Sequence, residues 1–199
     1  MRNDPSEIVA HRVNTLNELK NLGTELGAEV DLRSRGGRVF LAHDPQASGP
    51  SLEAYLALWA RQGRTGTLIL NPKEDGLDGA ALKLLRERGI ERFFFLDLSF
   101  PSTVRLALRQ GERRVALRVS EYESLESASR LKGKAEWLWL DCFSGRPPAL
   151  SLVERASRHF KICLVSPEVE GYPPSRIRDF RRLRGRVDAV CTKRPDLWA

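Results

Sequence analysis

Residues 15–32, TLNELKNLGTELGAEVDL, contain a complete helix–glycine–strand unit. Thr15 stands three residues before Glu18, the spacing of a capping box, with Thr15 as N-cap and Glu18 at the third helical position. The apolar residues that follow recur at helical spacing and predict a helix over 15–26. Gly27 comes where a left-handed residue ends a helix cheaply, and 28–32 reads as a strand.

The unit recurs along the chain. Strands are expected at 8–11, 28–32, 67–70, 92–98, 113–119, 136–141, 161–165 and 187–191. Helices are expected at 15–26, 51–62, 79–88, 102–109, 124–131, 150–159 and 175–184. Ser51 can cap the second helix, and Gly63, Gly89, Gly111 and Gly133 follow helical runs as Gly27 does. Residues 39–42 add an apolar stretch after Gly36-Gly37, which either continues the second strand or closes a short hairpin. Strands alternating with helices mean parallel strands joined by crossovers. A closed (β/α)8 TIM barrel and an open doubly wound sheet both satisfy this. The strand count favours the barrel, and no glycine-rich phosphate loop follows the first strand. One domain over 1–199 is expected, with tight loops, because about 250 residues is usual for a barrel.

The composition, 41% hydrophobic and 30% charged, is that of a globular protein. No run of about 18 apolar residues occurs, so no membrane span is expected. Residues 1–7 are polar and show no signal-peptide core, so the expected compartment is the cytoplasm. Cys142, Cys163 and Cys191 fit no zinc spacing and are expected as buried, reduced thiols. The net charge of +7 and pI of about 9.7 favour anionic partners. Much of the excess lies in Arg176, Arg178, Arg181, Arg182, Arg184 and Arg186, either a solvated helix face or a docking patch for an acidic surface. No recognisable nucleic-acid module is present.

In a barrel, chemistry sits at the carboxyl ends of the strands. Those ends carry His11-Arg12, Glu29 and Asp31, Asn71-Pro72-Lys73, Asp97, Arg118 and Glu121, Asp141, Glu168, and Thr192-Lys193, with His43-Asp44 after the 39–42 stretch. Charges at the ends of buried strands cost free energy unless paired, solvated or bound to metal, so a polar pocket is expected. Glu29 and Asp31 are two apart on a strand and share a face. A hard divalent cation, Mg2+ or Ca2+, would relieve their repulsion, with Asn71 adding a neutral carbonyl ligand. Pairing with Arg12, Arg33 or Lys73 is the structural alternative. His11 and His43 can divide base and acid work near neutral pH. Arg12, Lys73 and Arg118 supply positive charge for an anionic phosphorus centre, and Asp97, Asp141 and Glu168 complete the pocket. His159 closes a helix and receives no catalytic role. Trp59, Phe100, Phe143 and Trp198 either line a substrate groove or pack in the core and rim, with packing favoured.

Together these motifs resemble the glycerophosphodiester phosphodiesterase family. Ala-His-Arg (10–12) is similar to its opening, LGAEVDLR (26–33) to its Gly-Ala…Glu-x-Asp segment, VFLAHDP (39–45) to its His-Asp segment, and TKRPDL (192–197) to its closing motif. The start AHRVN (10–14) also resembles the Ala-His-x-Val-Asn of the related spider-venom phospholipases D. The resemblance implies a (β/α)8 barrel, His11 and His43 as general acid and base, Glu29 and Asp31 as metal ligands, and Arg12 on the phosphate. Asn71 stands where the family usually has a third acidic ligand, which weakens metal binding unless Asp97 or Asp141 compensates. Lys193 stands where an acid is common. The expected function is metal-assisted hydrolysis of a small glycerophosphodiester-like substrate. The alternatives are a degenerate phosphate- or phosphosugar-binding barrel and, last, a binder of acidic surfaces or nucleic acid.

Overall fold

The computed structural model describes residues 5–198; the first four residues of the polar N-terminal stretch, and Ala199, lie outside the described residues. The strands are β1 (Glu7–Ala10), β2 (Gly27–Arg35), β3 (Arg38–Leu41), β4 (Leu68–Pro72), β5 (Phe93–Phe95), β6 (Ala116–Val119), β7 (Trp137–Leu140), β8 (Lys161–Val165) and β9 (Ala189–Thr192). Their order is β5-β4-β2-β1-β9-β8-β7-β6, with every neighbouring pair parallel. A parallel bridge between Phe95 and Val115 joins the two ends of this path, and the Phe95 N–H donates to the Arg114 carbonyl at 2.9 Å. The result is a nearly closed barrel of eight parallel strands, the TIM-barrel arrangement. β3 lies outside the path, antiparallel to β2. Gly36 and Gly37, at φ 58° and 77°, form the two-residue turn between them, a conformation that side chains resist. The 39–42 stretch is therefore a hairpin strand.

Helices α1 (Leu16–Asn21), α2 (Leu52–Arg61), α3 (Asp78–Glu87), α4 (Phe100–Val104), α5 (Leu125–Ser129), α6 (Leu150–Ala156) and α7 (Ile177–Phe180) provide the crossovers. The Thr15–Glu18 capping box is present, and Ser51 caps α2 by accepting from the Ala54 N–H at 3.1 Å. α4 continues as a π-helical turn over Arg105–Arg109, and short 3-10 turns flank α7. No helix among the described residues is long and apolar enough to cross a membrane.

Two local expectations are corrected. The first helix stops at Asn21 instead of running to 26, because the Arg64 guanidinium takes the carbonyls that would continue it. It donates to Leu19 O at 2.6 Å, Leu22 O at 2.5 Å and Gly23 O at 2.9 Å. Gly27 is not a left-handed helix stop but the first residue of β2. A Cβ there would stand 2.6 Å from Thr67 O and 2.8 Å from Val9 Cγ2, so glycine is needed for close strand packing. Removing Arg64 would leave the buried Leu19 carbonyl and the half-buried Leu22 and Gly23 carbonyls without this donor. Arg64→Ala is expected to cost about 3 kcal/mol, read as a lower midpoint in urea unfolding. An unchanged midpoint would show that water replaces the guanidinium without penalty.

Strand alternation sorts the core into two layers. Val9, Ile69, Phe94, Leu96, Ala116, Trp137, Trp139, Cys163, Val165, Ala189 and Cys191 form the smaller cluster inside the barrel. Phe94 stacks on Trp137 with ring centroids 4.5 Å apart, filling the interior beside small Ala116 and Ala189. The larger cluster packs the outer strand faces against the helices and includes Trp59 and Trp198. All three cysteines are buried and free, as expected, and burial pushes the Cys142 thiol up to about 12.

Candidate active site

Inward-pointing residues near the carboxyl ends of β1, β2 and β4 form one connected polar cluster. Glu29 and Asp31 share the inner face of β2, and both are buried. Arg12 follows β1 with φ 56°, a strained value for a residue with a side chain. That turn aims its backbone N–H at Glu29 Oε2, 2.8 Å away. The amide of Asn71, which pairs with Asp31 across β2 and β4, donates to Glu29 Oε1 at 3.0 Å. Lys73 Nζ lies 2.8 Å from Asp31 Oδ1, and Arg12 Nε lies 3.8 Å from Asp31 Oδ2. The ion pairing weighed above as the alternative to a metal is thus present for Asp31.

The hairpin brings His43 to the cluster from the other side. The Arg33 guanidinium holds the His43 carbonyl at 2.8 and 3.0 Å. His43 Nε2 lies 2.7 Å from a guanidinium nitrogen of Arg12, and Nδ1 lies 2.8 Å from Asp44 Oδ1. A guanidinium only donates, so Nε2 accepts and Nδ1 carries the proton toward Asp44. His11 is mostly buried, with Nε2 3.8 Å from Glu29 Oε2 and Nδ1 without a hydrogen-bond partner. Burial first, then the charges of Arg12 and Lys193, lowers its pKa to about 3, so the ring is neutral. Burial and then the Asp31 charge push Glu29 up to about 7, against the pull of the Arg12 N–H and the Asn71 amide.

The remaining residues form two neighbouring groups. On the β5–β7 wall, Arg118 hydrogen-bonds Asp97 and Asp141 and lies 3.9 Å from Glu123 Oε2, so its charge is balanced within that wall. Asp97 ends β5 early through its own left-handed turn at φ 54°. Glu168, after β8, accepts from Ser166 Oγ, Thr192 Oγ1 and the Lys193 N–H, and Trp198 Nε1 donates to Ser166 Oγ at 2.9 Å. Phe100 and Phe143 are exposed on the rim, whereas Trp59 and Trp198 are buried. In the arginine-rich segment, Arg176 and Arg178 lie near Asp179, Arg186 near Glu154, and Arg181 donates to the Leu197 carbonyl.

Asn14 is a site residue that spacing alone did not single out. It clamps Asp31 at both ends, donating to Oδ2 at 2.8 Å and accepting from the Asp31 N–H at 2.8 Å. Its only signal was its place in the AHRVN start. Among the described residues, no three His, Cys, Asp or Glu side chains gather as a metal cage. An all-oxygen set remains: two buried carboxylates and Asn71 Oδ1, which is buried without a partner. That set fits a hard cation of the Mg2+ type, which commonly binds one or two carboxylates and completes its shell with water and substrate phosphate.

No family model matches the chain, and no curated protein matches it in sequence. Solved structures do. A Galdieria sulphuraria protein described as a glycerophosphodiester phosphodiesterase superposes with a TM-score of 0.75 at 17% identity, covering 97% of this chain and 96% of that one. The Agrobacterium tumefaciens glycerophosphodiester phosphodiesterase gives 0.71 at 18% identity, over 97% and 98%. The Parabacteroides distasonis glycerophosphoryl diester phosphodiesterase gives 0.69 at 16% identity, over 100% and 86%. Over nearly its whole length, the chain has the barrel fold of these glycerophosphodiester phosphodiesterase structures.

Proposed function

We propose that the chain is a metal-assisted phosphodiester hydrolase acting on a glycerophosphodiester-like substrate. The observation that carries the reading is the connected cluster of His11, Arg12, Glu29, Asp31, His43, Asn71 and Lys73 at the carboxyl ends of neighbouring strands. The activity described for the structural neighbours supports the same reading.

Glu29, Asp31 and Asn71 would hold a Mg2+ or Ca2+ ion, which supplies Lewis-acid neutralisation of the phosphoryl oxygens when bound. Arg12 and Lys73 add positive charge at the same centre. A phosphate oxygen is a better acceptor for a guanidinium than a neutral imidazole is. Substrate therefore draws Arg12 away from His43 Nε2 and frees that nitrogen for proton transfer. His11 is neutral, the form in which a ring accepts a proton. One histidine takes a proton from the attacking water or neighbouring substrate hydroxyl, and the other, first protonated from solvent at its free ring nitrogen, gives that proton to the leaving alkoxide. Asp44 and Asn14 orient His43 and Asp31 for these tasks.

The test is turnover on a panel of glycerophosphodiesters, lysophospholipids and a chromogenic diester, with Mg2+, Ca2+ or EDTA. Metal-dependent cleavage of at least one diester is expected. A second reading, a barrel that binds phosphate esters without cleaving them, is favoured by the Lys73–Asp31 ion pair and by the amide at Asn71. Tight binding of a phosphosugar without turnover on any diester would select it.

A further inference from the structure

We propose that Lys193 is a phosphate-binding residue of this site, and that the Glu168 network positions it. The inference rests on the phosphodiesterase reading and adds a cation to it. Lys193 follows β9 in register with Cys191 and Ala189, whose side chains lie inside the barrel. The His11 N–H donates to the Thr192 carbonyl at 2.9 Å, so the chain reaches Lys193 directly beside the catalytic cluster.

The lysine is held by backbone. Its ammonium donates to the Glu168 and Val169 carbonyls, each at 3.2 Å. Two carbonyls use two of the three ammonium protons and do not cancel the charge. Among the described residues no carboxylate lies within ion-pair distance of Lys193, in contrast to Lys73, which lies on Asp31; the nearby Glu170 carboxylate feels its charge but feels that of Arg118 more strongly. Glu168 is buried and turned inward to the chain: it accepts from Ser166, Thr192 and the Lys193 N–H, so its carboxylate fixes the backbone from which the lysine projects. The Trp198 indole locks Ser166 from behind. An ammonium at the strand ends, hydrogen-bonded only to backbone carbonyls and held by a fully satisfied buried network, is suited to an anionic oxygen of a substrate.

The test is calorimetric binding of inorganic phosphate in EDTA, followed by steady-state kinetics on whichever diester the wild type cleaves. Lys193→Gln is expected to weaken phosphate binding at least tenfold and to raise KM more than it lowers kcat, and Lys193→Arg to recover most of the affinity. Glu168→Ala should weaken phosphate binding too, and the double variant should be no weaker than the weaker single variant, since both act through one ammonium. Additive losses would reduce Glu168 to a structural role and overturn that half of the proposal. Wild-type phosphate affinity retained in a folded Lys193→Gln, or no phosphate binding by the wild type, would overturn the whole. Absence of diester cleavage alongside Lys193-dependent phosphate binding would instead remove the hydrolase reading and leave the binding role standing.

Discussion

Alanine at His11 or at His43 is expected to lower kcat about 10²–10⁴-fold with a far smaller change in KM. Each ring carries one proton position, and neither holds the substrate's charge, which falls to Arg12, Lys73 and Lys193. The two losses should not multiply. Once one proton transfer is lost, the remaining histidine has no partner step to assist, so the double variant should sit near the worse single variant. The controls come from the geometry. His11 is mostly buried, so its alanine variant must be shown to be folded. His43 is about two-fifths exposed in its side chain, and its loss should leave stability nearly unchanged. Single-turnover kinetics on the best substrate decide the matter. Wild-type rates in both variants would remove the histidines from the chemistry.

Without divalent cation, Glu29→Gln is expected to make the protein more stable than wild type at pH 8. Burial and the neighbouring Asp31 push the Glu29 carboxyl up from 4.5 to about 7. Between those values the native state keeps a proton that the unfolded chain releases. Raising the pH through that window therefore weakens the native state, and the full penalty is present above pH 7. A shift of this size corresponds to about 3 kcal/mol. The glutamine removes the titration and keeps the shape, and Asn71 can turn its partnerless Oδ1 to accept from the new amide. His11 contributes a slope of opposite sign, because its depressed pKa makes protonation below about 6.5 favour the unfolded chain. The comparison must therefore be the variant minus the wild type. Urea unfolding in EDTA should show that difference growing by about 2–3 kcal/mol from pH 4.5 to pH 8. A difference independent of pH would mean that neither burial nor Asp31 raises the Glu29 carboxyl in the native state. Saturating Mg2+ or Ca2+ should reverse the order, since the wild type gains the cation and the variant does not.

The barrel was legible because each parallel strand needs a crossover, and the punctuation of those crossovers is local. The Thr15–Glu18 box and the glycines at 63, 89, 111 and 133, all at positive φ, were readable from spacing alone. What escaped was long-range. Arg64 cuts α1 short from more than forty residues away, and nothing near residue 22 announces it. Gly27 is small because Thr67 and Val9 crowd it, although its place after a helical run suggested a left-handed helix stop. In the site, the β2 parity put Glu29 and Asp31 on one face, and the strand ends located His11, Asn71 and Lys73. The hairpin that returns His43 was one of two readings of 39–42. Pairings between side chains were not legible. Arg118 was expected to supply charge to a phosphorus centre but meets Asp97 and Asp141 on adjacent strands, and Asn14, noted only within the AHRVN start, clamps Asp31. Lys193 was legible as a strand-end residue and as a departure from a motif, but not in its contacts, because the carbonyls that hold it belong to β8's loop.

The most direct test of the central claim is 31P NMR of a glycerophosphodiester incubated with the wild-type protein, with Mg2+ and with EDTA, beside His11→Ala. The account predicts that the diester resonance gives way to a phosphomonoester, directly or through a cyclic phosphate, with Mg2+ only and not with the variant. An unchanged diester resonance in every sample across the substrate panel, with the protein folded and phosphate bound, would contradict it and leave a barrel that binds phosphate without cleaving its esters.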